Sequence, residues 1–335
     1  MDIFTQGLLG GVLAQTVAKK EETKLATIIG IFAGLIADAD IFIASSSDPL
    51  LNIEFHRHFT HSIFFIPVGA LVAMAILWPF LRNKITNGRL YLYSIMGYSL
   101  SGFLDASTSY GTHLFWPLSD ERVSFNIISI IDPVFTLILI AALIYTLKTK
   151  AKHFARIGLV MSFSYLLLGV VQHQRALVVA EELAKSRGHE TLQHVVKPTM
   201  ANNFLWRSVY IADNKIYVDA IRLGIFSENK VYTGQSVDKF NLENYASRHD
   251  LSPVIKQDIQ RFTAFSNGYV AFDNTQPNVL GDIRYSMLPI SAKPLWGIVL
   301  DKSKPDKHSD YLFFRDGRSE VRKIFINLLY GRDII

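Results

Sequence analysis

Apolar residues are distributed along this chain in two ways. Up to about residue 172 they come in long runs separated by short polar stretches. Beyond it they alternate with polar residues or recur at helical spacing. A helix needs about 20 mostly apolar residues to cross a bilayer. The runs 25–44 (LATIIGIFAGLIADADIFIA), 62–81 (SIFFIPVGALVAMAILWPFL), 90–106, 127–147 and 154–172 approach or reach that length, and 3–18 is a shorter, more polar sixth. The pattern predicts a mainly α architecture: a polytopic transmembrane bundle of about six spans over 1–172, then a small α+β domain over 173–335.

In the second part, FLWRSVYIADNKIYVDAIRLGIF (204–226) alternates and is rich in β-branched and aromatic residues, so it reads as strands about a DN turn. SPVIKQDIQRFTAFS (252–266) has a capping serine and a proline at the first helical position, which predicts a helix. YVAFDN (269–274) and WGIVLD (296–301) read as further strands.

Charge orients the first part. Lys19, Lys20, Lys24, Arg82, Lys84, Arg89, Lys148, Lys150, Lys152 and Arg156 fall in alternate short loops, whereas the intervening loops 45–61 and 107–126 carry only Arg57 and Arg122. By the positive-inside rule the first set is cytoplasmic. The two sparse loops, and the domain that follows six spans, then face outward from a bacterial inner membrane. The charge of +5 and pI near 9.2 are accounted for by this topology, so they do not point to nucleic acid. Only 19% of the residues are charged, against about a quarter in soluble domains. With no cysteine in the chain, disulfides, thiolate metal sites and a cysteine nucleophile are excluded.

The polar residues that interrupt the apolar pattern gather at one membrane face. Asp38 and Asp40 end the 25–44 run, Asp105 ends 90–106, and Asp132 opens 127–147. FHRHFTHS (55–62) supplies His56, His58 and His61 in the outer loop, and His113 lies in the next one. A single aspartate at a span end is ordinarily a cap or an interfacial residue, and a single histidine such as His58 or His113 a packed loop residue. Several converging on one face are costly unless paired or liganded. Carboxylate and imidazole together suit a divalent cation, zinc first, with manganese or magnesium as alternatives. Such an ion lowers the pKa of its water and polarises a phosphoryl or acyl oxygen, which points to hydrolysis. No G-x-S-x-G elbow, P-loop or dinucleotide-binding glycine pattern offers another chemistry.

These motifs together resemble the YdjM-like family of membrane-bound, predicted metal-dependent hydrolases of bacterial inner membranes. The resemblance rests on Asp38 and Asp40, HRHFTHS (56–62), DASTSYGTHLFWPLSDERV (105–123) and IIDPVFT (130–136), and extends weakly to NNFLWRSV (202–209) and GDIRYS (281–286). It implies that Asp38, Asp40, His56, His61 and Asp105 ligate the metal or touch its ligands. It further implies that Arg57 holds an anionic substrate group, Thr60 and Ser62 support the site or cap the next span, and Asp132 orients a ligand histidine. Asp282 and Arg284 would close over the site; the plainer reading of that pair is a surface salt bridge. His58 and His113 stand where the family pattern does not call for histidine. The spacing is also similar to that of the zinc-dependent phospholipases C, which implies a phosphoester.

The leading expectation is a membrane-bound hydrolase acting at the outer face, with membrane lipids around it and a lipid-linked or envelope phosphoester as substrate. A metal or proton transporter and a non-catalytic scaffold with a structural metal are the alternatives. No acidic or histidine residue lies mid-span to carry an ion across.

Overall fold

The computed structural model of the chain describes residues 1–224, 228–315, 317 and 319–333. It divides into two compact units. Met1–Ile43, Phe55–Val171 and Met200–Asn202 form the first; Ala44–Glu54, Gln172–Thr199 and Asn203–Ile335 form the second. The first 186 residues make eight helices: α1 (Ile3–Val17), α2 (Thr23–Ile36), α3 (Leu50–Phe55), α4 (Ile66–Leu81), α5 (Asn87–Tyr98), α6 (Ser101–Ala106), α7 (Pro133–Thr149) and α8 (His153–Ser186).

Within the first unit α1 is the central element. Every residue from Thr5 to Thr16 is buried, as expected of a helix that is apolar on all sides. It packs on α2, α5 and α7. Backbones meet closely where glycines allow it. A Cβ on Gly30 would lie 2.4 Å from the Gly10 carbonyl oxygen, and one on Gly97 would lie 2.5 Å from that of Gly30. Small residues at such crossings are what apolar helices use to pack without a hydrophobic driving force.

The expectation of six spans is corrected. Three helical stretches are long and apolar enough to cross a bilayer: Lys20–Phe42, Ile63–Leu81 and His153–Ser186. α1 and α7, with 15 and 17 residues, fall short. At about 1.5 Å per residue they reach only some 22 and 25 Å of a core near 30 Å. The 127–147 run begins its helix late because Asp132 caps it and Pro133 opens it. The 90–106 run is broken between α5 and α6. There the Ser99 and Ser101 hydroxyls donate to the Met96 and Tyr98 carbonyls, at 2.9 and 2.8 Å, competing with the helix ladder. Hydropathy alone does not reveal these interruptions.

The second unit holds two four-stranded antiparallel sheets. The first runs β1 (Gln193–Pro198), β2 (Leu205–Ala212), β3 (Lys215–Arg222) and β4 (Lys230–Asp238). The second runs β5 (Val270–Asp273), β6 (Gln276–Asp282), β7 (Trp296–Val299) and β8 (Asp310–Phe313). β2 and β3 are joined at Asp213 and Asn214, both with positive φ, as a two-residue primed turn requires. The end of the alternating stretch, residues 225–226, lies outside the described residues. α9 (Leu242–Ala246), α10 (Pro253–Phe265) and α11 (Ser319–Leu329) complete the unit. The Ser252 hydroxyl caps α10 by accepting from the Ile255 amide at 3.2 Å.

Part of this unit comes from an unexpected place. The segment Ala44–Glu54, read from the sequence as an outer loop of the membrane part, packs into the second unit. Leu50 and Ile53 join the core of Ile255, Ile259, Phe262, Val270, Leu280 and Ile298. Arg261 holds the same segment by ion pairs to Asp48 at 2.9 Å and Glu54 at 2.7 Å.

Candidate metal centre

Three turns of the first unit bring the motif residues together. After α2 the chain tightens into a 3-10 turn, Ala37–Phe42, carrying Asp38 and Asp40. At about three residues per turn, two residues apart differ by some 120° in direction. Asp38 and Asp40 therefore reach opposite edges of one imidazole. That ring is His61, in a second 3-10 turn, Phe59–His61. The third piece is α6, which carries Asp105 in its last turn. Gly102 admits His61 to this helix, since a Cβ there would fall 2.0 Å from the His61 carbonyl oxygen.

His61 is the hub, and its side chain is wholly buried. Its Nε2 lies 2.8 Å from Asp105 Oδ2 and 3.3 Å from Asp38 Oδ1. Its Nδ1 lies 3.0 Å from Thr60 Oγ1 and 3.4 Å from Asp40 Oδ2. The Thr60 hydroxyl donates to Asp40 Oδ2 at 2.7 Å, so it accepts from Nδ1. This fixes the proton on Nδ1 and leaves Nε2 to face Asp38 and Asp105 when the ring is neutral. Nε2 and Asp105 Oδ2 are close, yet neither is aligned for a hydrogen bond, and both are buried without a partner. One ligand atom from each of Asp38, His61 and Asp105 lies within 4.8 Å of the others, and a metal ion fits this donor set.

The electrostatics are those of a cation site. Burial lowers the His61 pKa, but Asp105, Asp38 and Asp40 outweigh it and push it up to about 10. Arg57 and the amino-terminal ammonium of Met1 also lie against Asp105 Oδ1, the guanidinium at 3.3 Å. A metal taking Nε2 must displace a proton from this ring.

The other expected residues fall into distinct places. Asp40 stands one step back, accepting from Thr60 and from the Arg57 amide at 2.7 Å. His56 meets the other oxygen of Asp40, Nδ1 to Oδ1 at 3.3 Å, and is a quarter exposed; it is not in the three-ligand group. The Arg57 guanidinium points inward, donating to the Met1 carbonyl at 3.0 Å and Thr108 at 3.4 Å, while its buried Nε has no partner. Arg57 also has φ +59°, a left-handed conformation that strains any residue but glycine. Its amide is held by Asp40, and its carbonyl accepts from Thr112 Oγ1 at 2.8 Å and the His113 amide at 3.1 Å. Ser62 caps the turn Ile63–Phe65 through the Phe64 amide.

Two placements differ from expectation. Asp132 does not meet a ligand histidine among the described contacts. Its Oδ1 caps α7 at the Val134 and Phe135 amides, and its Oδ2 accepts from the Tyr165 hydroxyl at 2.9 Å. Arg284 is not the surface partner of a salt bridge. It is locked to buried Asp282 at 2.7 Å and donates to the Phe265 carbonyl inside the second unit. His58 and His113 pack together with ring centres 4.4 Å apart, and burial and Arg122 lower both pKa values, that of His113 to about 4.

Several site residues carried no signal in the spacing. Tyr98 donates to the Thr60 carbonyl at 2.5 Å, Gly102 admits His61, and Tyr110 takes the Arg57 and Arg122 guanidiniums over its ring at 5.2 and 5.1 Å. A glycine three residues before Asp105 was the one available hint.

A family model described as YdjM inner membrane protein matches residues 1–176, the stretch that carries all of these elements. No curated protein and no solved structure matches the chain.

Proposed function

Starting from the chain's membership of the YdjM inner membrane protein family, we propose that it is a metal-dependent hydrolase. Its site lies at the outer membrane face, and its substrate is a lipid-linked or envelope phosphoester. The observation that carries this reading is the buried pair His61 Nε2 and Asp105 Oδ2, 2.8 Å apart and each without a hydrogen-bond partner. With Asp38 they form a three-ligand group, the number that leaves a tetrahedral ion one open position for chemistry; a purely structural site is ordinarily closed by four. Bound there, a divalent ion, zinc first by its donor set, supplies Lewis acidity toward a phosphoryl oxygen and a water of lowered pKa.

The protein's own groups have separable tasks. Asp38, His61 and Asp105 hold the ion. Thr60 and Asp40 keep the His61 proton on Nδ1, so that Nε2 stays a ligand. Arg57 braces Asp105 from the side away from His61, since it meets Oδ1 while His61 meets Oδ2. The basic residues beside the stretches Lys20–Phe42 and Ile63–Leu81, at Lys19, Lys20, Lys24, Arg82 and Lys84, support an outward orientation of the turns between them that carry Asp40 and His61. At that depth a lipid substrate enters laterally and water from outside.

The test is elemental mass spectrometry on the detergent-purified full chain, wild type beside His61→Ala and Asp105→Ala. One equivalent of metal in the wild type, absent from both variants, is expected. Phosphate release from a lipid phosphate should be lost with it. Wild-type protein that stays metal-free after reconstitution with zinc, manganese or magnesium would sink the proposal.

A further inference from the structure

The second unit carries a lysine whose setting suits an anion better than a cation. Lys197 on β1 is the one buried lysine among the described residues. It stands directly opposite Arg207 on β2, which is also buried. Residues paired in this way share a face of the sheet, and like charges there repel. The Lys197 Nζ lies over the ring of Tyr285, 3.0 Å from its centre, and has no hydrogen-bond partner. Arg284 adds a second positive charge, and Asp282 is the carboxylate that opposes them. Both Asp282 oxygens are already taken by Arg284. Asp219, which also acts on Arg207, is held by the fork of Arg187. Burial first, and then Arg207, drives the Lys197 pKa well down, which favours the neutral amine. Of the five N–H groups of Arg207, four are spent on the Ile283, Arg284, Leu288 and Pro289 carbonyls, leaving one on Nη2.

We infer that Lys197 is a modification site: its Nζ adds carbon dioxide, and Arg207 holds the carbamate that forms. A desolvated lysine amine beside another cation is a nucleophile. Its lone pair forms the N–C bond, one C=O electron pair moves onto oxygen, and one amine proton leaves to water. Nothing is oxidised or reduced. The cation opposed to Arg207 is thereby replaced by an anion. The new carboxylate accepts from the spare N–H on Nη2, a charge-assisted bond. Nζ must leave the Tyr285 face to do this, which its flexible four-carbon stem allows. Carbon dioxide is small and apolar, so it can reach a side chain that is only 5% exposed. An imine with a larger carbonyl compound would add bulk without a negative charge, and would give Arg207 no anion to bind. The site lies wholly in the second unit and is independent of the metal centre.

The experiment is carbon nuclear magnetic resonance on the purified full chain, equilibrated at fixed pH with isotopically labelled carbon dioxide and bicarbonate. Wild type should show a carbamate resonance distinct from bicarbonate. It should be lost completely in Lys197→Met, which keeps an apolar stem without the amine. Thermal unfolding is followed on the same samples, because a group held only by the folded chain stabilises it by mass action. The wild-type melting temperature should rise with carbon dioxide pressure at constant pH, and that of Lys197→Met should not. Should Lys197→Met fail to fold, wild type grown with lysine nitrogen-labelled at Nζ decides alone. Its carbamate signal should couple to that nitrogen and vanish when the chain is unfolded. No carbamate signal in the wild type, or one that persists in Lys197→Met or in the unfolded chain, overturns the inference.

Discussion

The two units bury charged groups in opposite ways. In the second, they are closed. The Arg207 guanidinium donates to four backbone carbonyls, those of Ile283, Arg284, Leu288 and Pro289, between 2.7 and 3.1 Å. Arg187 forks onto Asp219 at 2.6 and 2.8 Å, and Arg284 onto Asp282. Two groups depart from this: Lys197, buried with its Nζ over the Tyr285 ring and its pKa driven well down by burial, and Asp273, whose buried Oδ2 has no hydrogen-bond partner. In the first unit the equivalent groups are left open: His61 Nε2, Asp105 Oδ2 and Arg57 Nε are all buried without a hydrogen-bond partner, within one cluster, the first two meeting only as an ion pair. Native proteins leave few such atoms, because each costs the desolvation of a polar group. A saturated buried charge reports on architecture, whereas a cluster of unsaturated ones reports on something still to be bound.

Two substitutions set that distinction against experiment. The largest effect on stability is expected in the closed region. Arg284→Ala leaves Asp282 fully buried without its counter-charge, and breaking such a pair costs about 3–5 kcal/mol. Denaturation followed by fluorescence of Trp206 and Trp296 should register this loss, with metal content as in the wild type. Metal loss in this variant while the fold persists would erase the contrast between the units. In the open region Asp40→Asn keeps shape but weakens the hold on Thr60 and the His61 Nδ1 proton. Groups at that remove are worth about 10–100-fold in metal affinity. Chelator competition reads the shift directly; an unchanged affinity would show that Asp40 serves the backbone of Arg57 alone.

Much of the centre was legible in the sequence, and the reasons it was only partly so are physical. Asp38, His61 and Asp105 were recognisable because carboxylates at span ends and a histidine in the same outer loop all need a reason to be there. Spacing does not rank them, however. His56 and His61 look alike in FHRHFTHS, and only the 3-10 turns decide that His61 faces the carboxylates while His56 meets the far side of Asp40. Tyr110 and Arg122 enter through loop geometry that no periodicity encodes. The strands about Asp213 and Asn214 and the Ser252-capped helix followed from local turn and cap chemistry, which is why they were readable. Span number was not, because hydropathy counts apolar residues without seeing the serine-broken join after α5 or the late start of α7. The docking of Ala44–Glu54 into the second unit depends on Arg261, two hundred residues away.

The smallest effect is expected in a buried histidine that the second unit keeps neutral. His194 on β1 bonds Ser208 Oγ through Nε2 at 2.8 Å, and its Nδ1 has no partner. Burial lowers its pKa from 6.5 to about 4, with Asp219 opposing only in part. Between those two values the unfolded chain takes up a proton that the folded one refuses. Stability is therefore complete above about pH 6.5 and falls as the pH drops toward 4. For this group alone the loss is about 2 kcal/mol between pH 7 and pH 5, taking about 1.4 kcal/mol per pKa unit. His194→Gln keeps an amide able to reach Ser208 but has no proton to gain. Its second unit should show a flatter stability profile over that window and differ little from wild type at pH 7. A wild-type profile already flat from pH 7 to pH 5, or one that His194→Gln leaves as steep, would mean that His194 is more open to water than its packing against Tyr210 indicates.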